Sequence, residues 1–171
     1  MIKMKSTTKL VLVLVLLTGL STSCKKDEVE KIPEYVGTWV NQDVSGLYTN
    51  NLTVTKTDFS LSKNLVTPIA AIKIVSMAGT QIVNGDKASV SVSETIIPDT
   101  TFNITGSIPT LSYLTYKKGS KEFDSALLKY GYSSQFDVLY SVANNLLTTK
   151  TDYNKDGDYA DDGETTVFTK K

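Results

Sequence analysis

The 171-residue sequence predicts an all-β domain with a single short helix, and three observations support this fold class. Short runs rich in apolar residues and threonine recur along the chain between turn residues, a pattern typical of an antiparallel barrel or a two-sheet sandwich. Residues 88–93 (ASVSVS) alternate between apolar residues and serine, so one face of that strand is buried. Three turn signals separate predicted elements: Asn84-Gly85-Asp86, Lys118-Gly119 and Asn144-Asn145. We expect an up-and-down antiparallel barrel, with a two-sheet β-sandwich as the alternative.

Eleven strands and one helix are predicted in the domain. The helix is expected over Ser120–Tyr130, because Ser120 can cap its start, Phe123 and Leu127 share one face, and Gly131 can end it. The predicted strands are, in chain order, Thr38–Gln42, Leu52–Thr57, Phe59–Ser62, Ile69–Met77, Gln81–Asn84, Ala88–Ile96, Phe102–Thr105, Thr110–Tyr116, Phe136–Val142, Leu146–Thr151 and Thr165–Thr169.

Residues 1–23 are predicted to be a lipoprotein signal peptide. Three lysines precede Leu10–Leu20, an apolar stretch of eleven residues, and the small residues Ser21–Ser23 lead into Cys24. Because a membrane-spanning helix needs about 20 apolar residues, this stretch is better interpreted as a cleaved signal. A cysteine at this point indicates acylation, which would attach the chain to a membrane through Cys24. The alternative is an ordinary secretory signal followed by an incidental cysteine.

Residues 24–34 are predicted to be a charged tether, and residues 35–171 the β domain. The run Lys25-Lys26-Asp27-Glu28 resembles the surface-export signal of bacteroidete-type lipoproteins, which places a lysine and acidic residues just after the lipidated cysteine. This resemblance implies a bacterial outer-membrane lipoprotein that faces the cell exterior. A tether that holds the domain on the periplasmic side is the alternative.

The composition argues against several function classes. After cleavage, 148 residues would remain, with 15 lysines against 18 acidic residues and no basic stripe, so no nucleic-acid partner is expected. The chain contains neither histidine nor arginine, and Cys24 is the only cysteine. A Ser-His-Asp triad, a histidine-ligated metal site and thiol catalysis are therefore absent, and we do not expect an enzyme.

A family resemblance begins at Tyr35-Val36-Gly37-Thr38-Trp39, since a Gly-x-Trp in the first strand of a small exported β-protein is similar to the lipocalin signature. The tail, from Ser141-Val142 to Phe168-Thr169-Lys170, resembles lipocalin-like domains of bacteroidete-type lipoproteins. The resemblance implies a barrel that Trp39 closes at one end and that binds a small apolar ligand at the other, with Gly37 at the start of the first strand. Trp39 as a plain core residue is the alternative.

The sequence departs from the lipocalin pattern at one position. Lipocalins usually pack an arginine from near the end of the barrel against the tryptophan, and this chain has no arginine. Lys150 or Lys170 could take that place, but a lysine lacks the planar guanidinium that stacks on an aromatic ring.

The region of residues 152–164 has the strongest metal-binding pattern. Six acidic residues fall within these thirteen, and the first six follow the calcium-loop pattern Asp-x-Asn-x-Asp-Gly. Oxygen ligands at alternate positions can surround one hard cation, which would also relieve the repulsion between carboxylates. The loop predicts a structural Ca²⁺ in the last hairpin, and a hydrated acidic turn is the alternative. The candidate ligands are Asp152, Asn154, Asp156, Asp158, Asp161, Asp162 and Glu164.

Two functions follow from these predictions. The first is a lipid-anchored barrel that binds a small apolar or amphiphilic ligand. The second is a filled β-domain that acts as a structural or interaction protein at the cell surface, with a glycan or another envelope protein as its partner. A binder requires a cavity inside the barrel, whereas a filled domain has side chains that meet at its centre.

Overall fold

The computed structural model describes residues 32–68, 71–99, 111–152, 157–159 and 163–171. The predicted signal peptide, Cys24 and the predicted strand Phe102–Thr105 lie outside these residues. The elements are β1 (Gly37–Gln42), β2 (Tyr48–Val54), β3 (Asp58–Val66), β4 (Ala71–Asn84), β5 (Lys87–Pro98), β6 (Tyr113–Lys117), α1 (Phe123–Leu128), β7 (Gln135–Ala143), β8 (Leu146–Thr151) and β9 (Thr165–Lys170).

Eight strands close into an antiparallel up-and-down barrel, which confirms the predicted fold class. Going round the barrel, the order is β1, β2, β3, β4, β5, β7, β8, β9 and back to β1, and every neighbouring pair is antiparallel. The barrel interior holds one apolar core, which includes Trp39, Leu52, Met77, Leu147 and Phe168. These side chains point inward because alternate residues of a strand lie on opposite faces.

Strand β5 belongs to the barrel and also pairs with β6, which lies in the chain between the barrel strands β5 and β7. Its first half, Lys87–Ser91, pairs with β7, whereas its second half, Glu94–Pro98, pairs with β6. A β-bulge separates the two halves, because Ala78 pairs with Glu94 and the next residue, Gly79, pairs with Val92. A Cβ atom on Gly79 would lie 2.1 Å from the carbonyl oxygen of Ser91, so this close approach requires glycine.

Helix α1 is shorter than predicted and begins later. Ser120 does not cap it; Glu122 occupies the N-cap without a side-chain capping bond, because Lys117–Ser120 forms a separate turn. The prediction that Gly131 ends the helix is confirmed: Gly131 has φ +78° and its N–H donates to the carbonyl of Leu128. Phe123 and Leu127 are buried in the same core as the barrel interior.

Two of the three predicted turns are hairpins. Gly85 and Asp86 join β4 to β5, with φ +66° at Gly85, and Asn144-Asn145 joins β7 to β8 with positive φ at both residues. The third predicted turn, Lys118-Gly119, is present but is not part of a hairpin. This turn leads from β6 into α1, because β6 pairs only with β5 among the described strands.

Candidate functional site

A cavity of about 220 Å³ lies inside the barrel. It is the strongest candidate for a functional site, because concave, mainly apolar sites of this kind hold small ligands. Strands from around the barrel contribute to its wall, and Tyr132, which follows α1, completes it. The lining residues are Asn50, Leu52, Phe59, Leu61, Lys63, Met77, Val90, Tyr132, Phe136, Val138, Tyr140, Thr149, Thr151, Thr166 and Phe168.

The wall of the cavity is apolar at its base. Leu52, Met77, Val138 and Phe168 are buried, and their side chains offer no hydrogen-bond donor. Phe59 and Phe136, from β3 and β7, meet edge to face with their ring centroids 6.2 Å apart. This geometry is favourable for aromatic pairs and fixes both rings. A bound molecule would therefore meet a preformed hydrocarbon surface.

The cavity becomes polar towards one end of the barrel, which we call the Lys63 end. Asn50 on β2 and Lys63 on β3 pair directly across the two strands, and both side chains are half-buried. Thr151, the last residue of β8, and Thr166, at the start of β9, also line the cavity. The end that carries the loops before β2 and after β8 thus has the polar part of the cavity.

Lys63 carries the positive charge of the cavity. Its Nζ lies 4.8 Å from the centroid of the Tyr48 ring, a cation–π contact, and it forms no ion pair with a carboxylate in the described part of the chain. The wall formed by the described residues contains no acidic side chain. A long lysine side chain keeps its stem in apolar surroundings while its ammonium group reaches water.

The opposite end of the barrel, which we call the Trp39 end, is filled. Trp39 is 1% exposed, and its Nε1 donates a hydrogen bond of 2.9 Å to the carbonyl oxygen of Tyr35. The Nζ of Lys170 lies 5.4 Å from the centroid of the Trp39 ring, whereas Lys150 is exposed on the outer side of β8. Of the two lysines predicted as substitutes for arginine, Lys170 contacts the tryptophan. Gly37 begins β1 and lies beside both side chains.

A buried polar pair joins β7 to β4, and one of its members, Tyr140, lines the cavity. The hydroxyl of Tyr140 donates to Oε1 of Gln81 over 2.8 Å, and Nε2 of Gln81 donates to the carbonyl of Thr55 over 2.7 Å. The ring of Tyr35 stacks on Tyr140 with a centroid separation of 5.3 Å. Burial raises the pKa of the Tyr140 hydroxyl far above its ordinary value of 10.0, so the neutral form is stabilised.

The outer surface carries two carboxyl groups with shifted pKa values. Hydrogen bonds from Lys87, 2.9 Å away, and from Ser89 lower the pKa of Asp137. The N–H of Tyr48 and the hydroxyl of Ser45 donate to Asp43 and lower its pKa too. Both carboxylates lie outside the cavity.

The predicted calcium loop is only partly described. Asn154, Asp156, Asp161 and Asp162 lie outside the described residues. Asp152 follows β8, and its Oδ2 accepts a hydrogen bond of 3.1 Å from the N–H of Gly157, which has φ +93°. Asp158 is exposed, and Glu164 is 3% exposed. Within the described ranges, no three His, Cys, Asp or Glu side chains are grouped closely enough to hold a metal ion.

The sequence-predicted site residues and the cavity occupy different places. Gly37 and Trp39 lie at the Trp39 end and do not line the cavity, while Lys63 and Asn50 were not predicted. One signal could have found Lys63. Phe59, Leu61 and Lys63 alternate along β3, so the period that turns the first two towards the core also turns the lysine inward.

Comparison with known proteins identifies no relative. No helix in the described part of the chain has the length and apolar character needed to cross a membrane. No family model matches the sequence, and neither a curated protein nor a solved structure is significantly similar to it.

Proposed function

We propose that this protein binds a small apolar or amphiphilic molecule inside its barrel. The observation that carries the proposal is the cavity of about 220 Å³ with an apolar base and a polar end. Its volume exceeds that of a dry cavity of about 150 Å³ that binds benzene. It is below the range of about 300–1,000 Å³ typical of sites for drug-sized ligands, so the expected ligand is small. The barrel also agrees with the binding mode that the lipocalin resemblance implies.

The experiment is a titration of the mature chain with 1-octanol, followed by calorimetry and by native mass spectrometry. We expect saturable binding of one molecule. Leu61 lines the cavity, and Leu61→Trp should fill it and abolish binding. Leu114 lies on β6 away from the cavity and provides the matched control, because Leu114→Trp adds the same bulk without entering the barrel.

Other outcomes would contradict the proposal. Absence of binding of 1-octanol and of any molecule from a lipid extract would favour the alternative function, a β-domain that contacts a glycan or an envelope protein through its outer surface. Equal binding by Leu61→Trp and by the unaltered chain would place the bound molecule outside the cavity.

We also propose that the molecule acts at the bacterial outer membrane, anchored through acylated Cys24 and facing the exterior. The support is the sequence of residues 1–28, in which an apolar segment, small residues, a cysteine and a charged run follow one another. Labelled palmitate should be incorporated into the unaltered protein and not into Cys24→Ser, which tests the anchor. Protease digestion of intact cells would test the orientation, since a periplasm-facing domain would be protected.

A structural Ca²⁺ in the loop after β8 completes the proposal. The calcium-loop pattern supports it, as does the hydrogen bond that folds Gly157 back onto Asp152. Combined Asp152→Ala and Asp156→Ala should lower the melting temperature in calcium and change it little in chelator. Glu122→Ala with Asp124→Ala, two exposed acidic residues at α1, is the matched control. Equal destabilisation in calcium and in chelator would count against the metal.

A further inference from the structure

We propose that the ligand is an anionic amphiphile whose charged head group binds Lys63 and Asn50 while its hydrocarbon chain occupies the cavity. This inference rests on the proposed function and adds the charge, polarity and length of the ligand. It follows from three features of the cavity, namely its cation, the geometry of its polar end and its volume.

The first feature is a positive charge without an acidic counterpart. Lys63 is half-buried on the inner face of β3, and its ammonium group contacts the Tyr48 ring at 4.8 Å but no described carboxylate. An inward lysine in a β-barrel is costly unless something compensates the loss of hydration. A cation–π contact at a partly exposed site stabilises the charge less than a charge-assisted hydrogen bond does. An anionic group from a ligand would supply the missing partner.

The second feature is the position of Asn50. It pairs directly with Lys63 across β2 and β3, which places the two Cβ atoms about 4.5–5.5 Å apart. The Nδ2 group of Asn50 donates one hydrogen bond to Oδ1 of Asn41. A side-chain amide has two N–H donors, so the second N–H of Asn50 is the one that a ligand would use. An anion with two oxygens could accept from the ammonium group and from this amide together.

The third feature is the volume of the cavity. If benzene occupies a cavity of about 150 Å³, the same packing gives room for about nine carbon atoms in this barrel. Leu52, Phe59 and Met77 form the adjoining apolar surface, which suits an alkyl chain. The ligand expected from these features is a medium-chain amphiphile with an anionic head and a single hydrocarbon tail.

The test compares three ligands of equal chain length: octanoate, 1-octanol and octyltrimethylammonium. We expect the unaltered chain to bind octanoate at least tenfold more tightly than 1-octanol, the factor that a charge-assisted hydrogen bond supplies. The cationic ligand should bind most weakly. High salt should reduce the preference for octanoate, because the lysine is partly exposed. Octyl phosphate in a parallel titration distinguishes a phosphate head from a carboxylate.

Variants of the lysine make the test specific. Lys63→Met should remove the preference for octanoate over 1-octanol, and Lys63→Arg should restore the preference because it retains the charge. Lys73→Met is the matched control. Lys73 is also a half-buried strand lysine near a tyrosine ring, with Nζ 5.8 Å from the centroid of Tyr113, but it does not line the cavity.

Three results would overturn the inference. Equal affinity of the unaltered chain for octanoate and 1-octanol would remove the role of the charge and leave the proposed function intact. Loss of both ligands on Lys63→Met would give Lys63 a structural role instead. Failure of the unaltered chain to bind any of the ligands would reject the proposed function together with this inference. Chain length gives a further check, since affinity should stop rising beyond about nine carbons.

Discussion

The two ends of the barrel differ in how their inward side chains are used. At the Trp39 end, the strands are joined by turns of two or three residues such as Asn144-Asn145, and large side chains meet at the centre. At the Lys63 end, longer connections join the strands, the interior is hollow and the wall becomes polar. The comparison shows one fold with a filled end and a hollow end, and the proposed ligand binding uses the hollow one. Substitutions that are chemically alike should therefore act differently at the two ends.

The largest expected difference is between Leu147→Ala and Leu61→Ala. Leu147 is fully buried and lies away from the cavity, so its truncation should lower the free energy of unfolding by about 3–5 kcal/mol. Leu61 is half-buried and already borders the cavity, and the same change should cost less than about 2 kcal/mol. Urea unfolding of both variants measures this. Equal losses would show that the two ends are packed alike.

The next effect concerns the hydroxyl of Tyr140. Tyr140→Phe would leave Oε1 of Gln81 buried without its donor, which should cost about 1–3 kcal/mol in unfolding free energy. Tyr113→Phe, on an exposed tyrosine of β6, is the control and should stay within about 0.5 kcal/mol.

The same residue predicts a pH dependence. Because burial raises the pKa of Tyr140, its hydroxyl stays neutral in the folded state at a pH where it ionises in the unfolded chain. Its contribution is complete below pH about 10 and is lost as the pH rises from there towards the folded-state pKa. The free energy of unfolding, measured between pH 8 and 11, should fall more steeply with pH for the unaltered chain than for Tyr140→Phe. Parallel curves for the two proteins would contradict the assigned burial.

A smaller effect is expected for Lys170→Met at the Trp39 end. The variant removes the cation above the ring of Trp39 and keeps an apolar stem, so it should cost about 0.5–1 kcal/mol. Trp39 is the only tryptophan, and its fluorescence reports the change directly. Lys150→Met, at the exposed lysine of β8, should leave both the emission and the stability unaltered. A shifted emission in Lys150→Met would show that the fluorescence change does not report the cation–π contact.

The smallest effect on stability is expected for Lys63→Met. The variant loses the contact with Tyr48 but also removes the cost of a partly dehydrated charge, so unfolding should change by less than about 0.5 kcal/mol. Thermal unfolding without ligand measures this. A loss as large as that of Leu147→Ala would show that Lys63 maintains the fold, and the contrast between the two ends would fail.

The sequence predicted most of the strands because alternation survives wherever one face of a strand is buried. It divided β4 into Ile69–Met77 and Gln81–Asn84, whereas the structure has one strand, Ala71–Asn84. Gly79 caused the error. In isolation it indicates a break, but here the missing Cβ lets β5 approach closely at a bulge. A contact between two strands decides this, and local pattern does not contain it.

The candidate site was less predictable than the fold. The alternation of β3 turns Lys63 inward, but the sequence does not show whether side chains fill the centre of the barrel next to Lys63. That depends on how side chains from distant strands meet across the interior, as Phe59 and Phe136 do. Cys24 and the calcium ligands remain predictions, because Cys24 and four of the seven ligands lie outside the described residues.

The seam between β1 and β9 has a consequence for folding kinetics. It joins residues 126 or more positions apart, through two paired positions and side-chain bonds such as that from Asn41 to the carbonyl of Val167. Most of the other neighbouring strands are also consecutive in the chain, so they can pair early as local hairpins. The seam can form only after all the strands between β1 and β9 have come together. Contacts that form after the transition state govern unfolding rather than folding. The first and last strands should therefore set how long the folded barrel persists, and have little influence on how quickly it is reached.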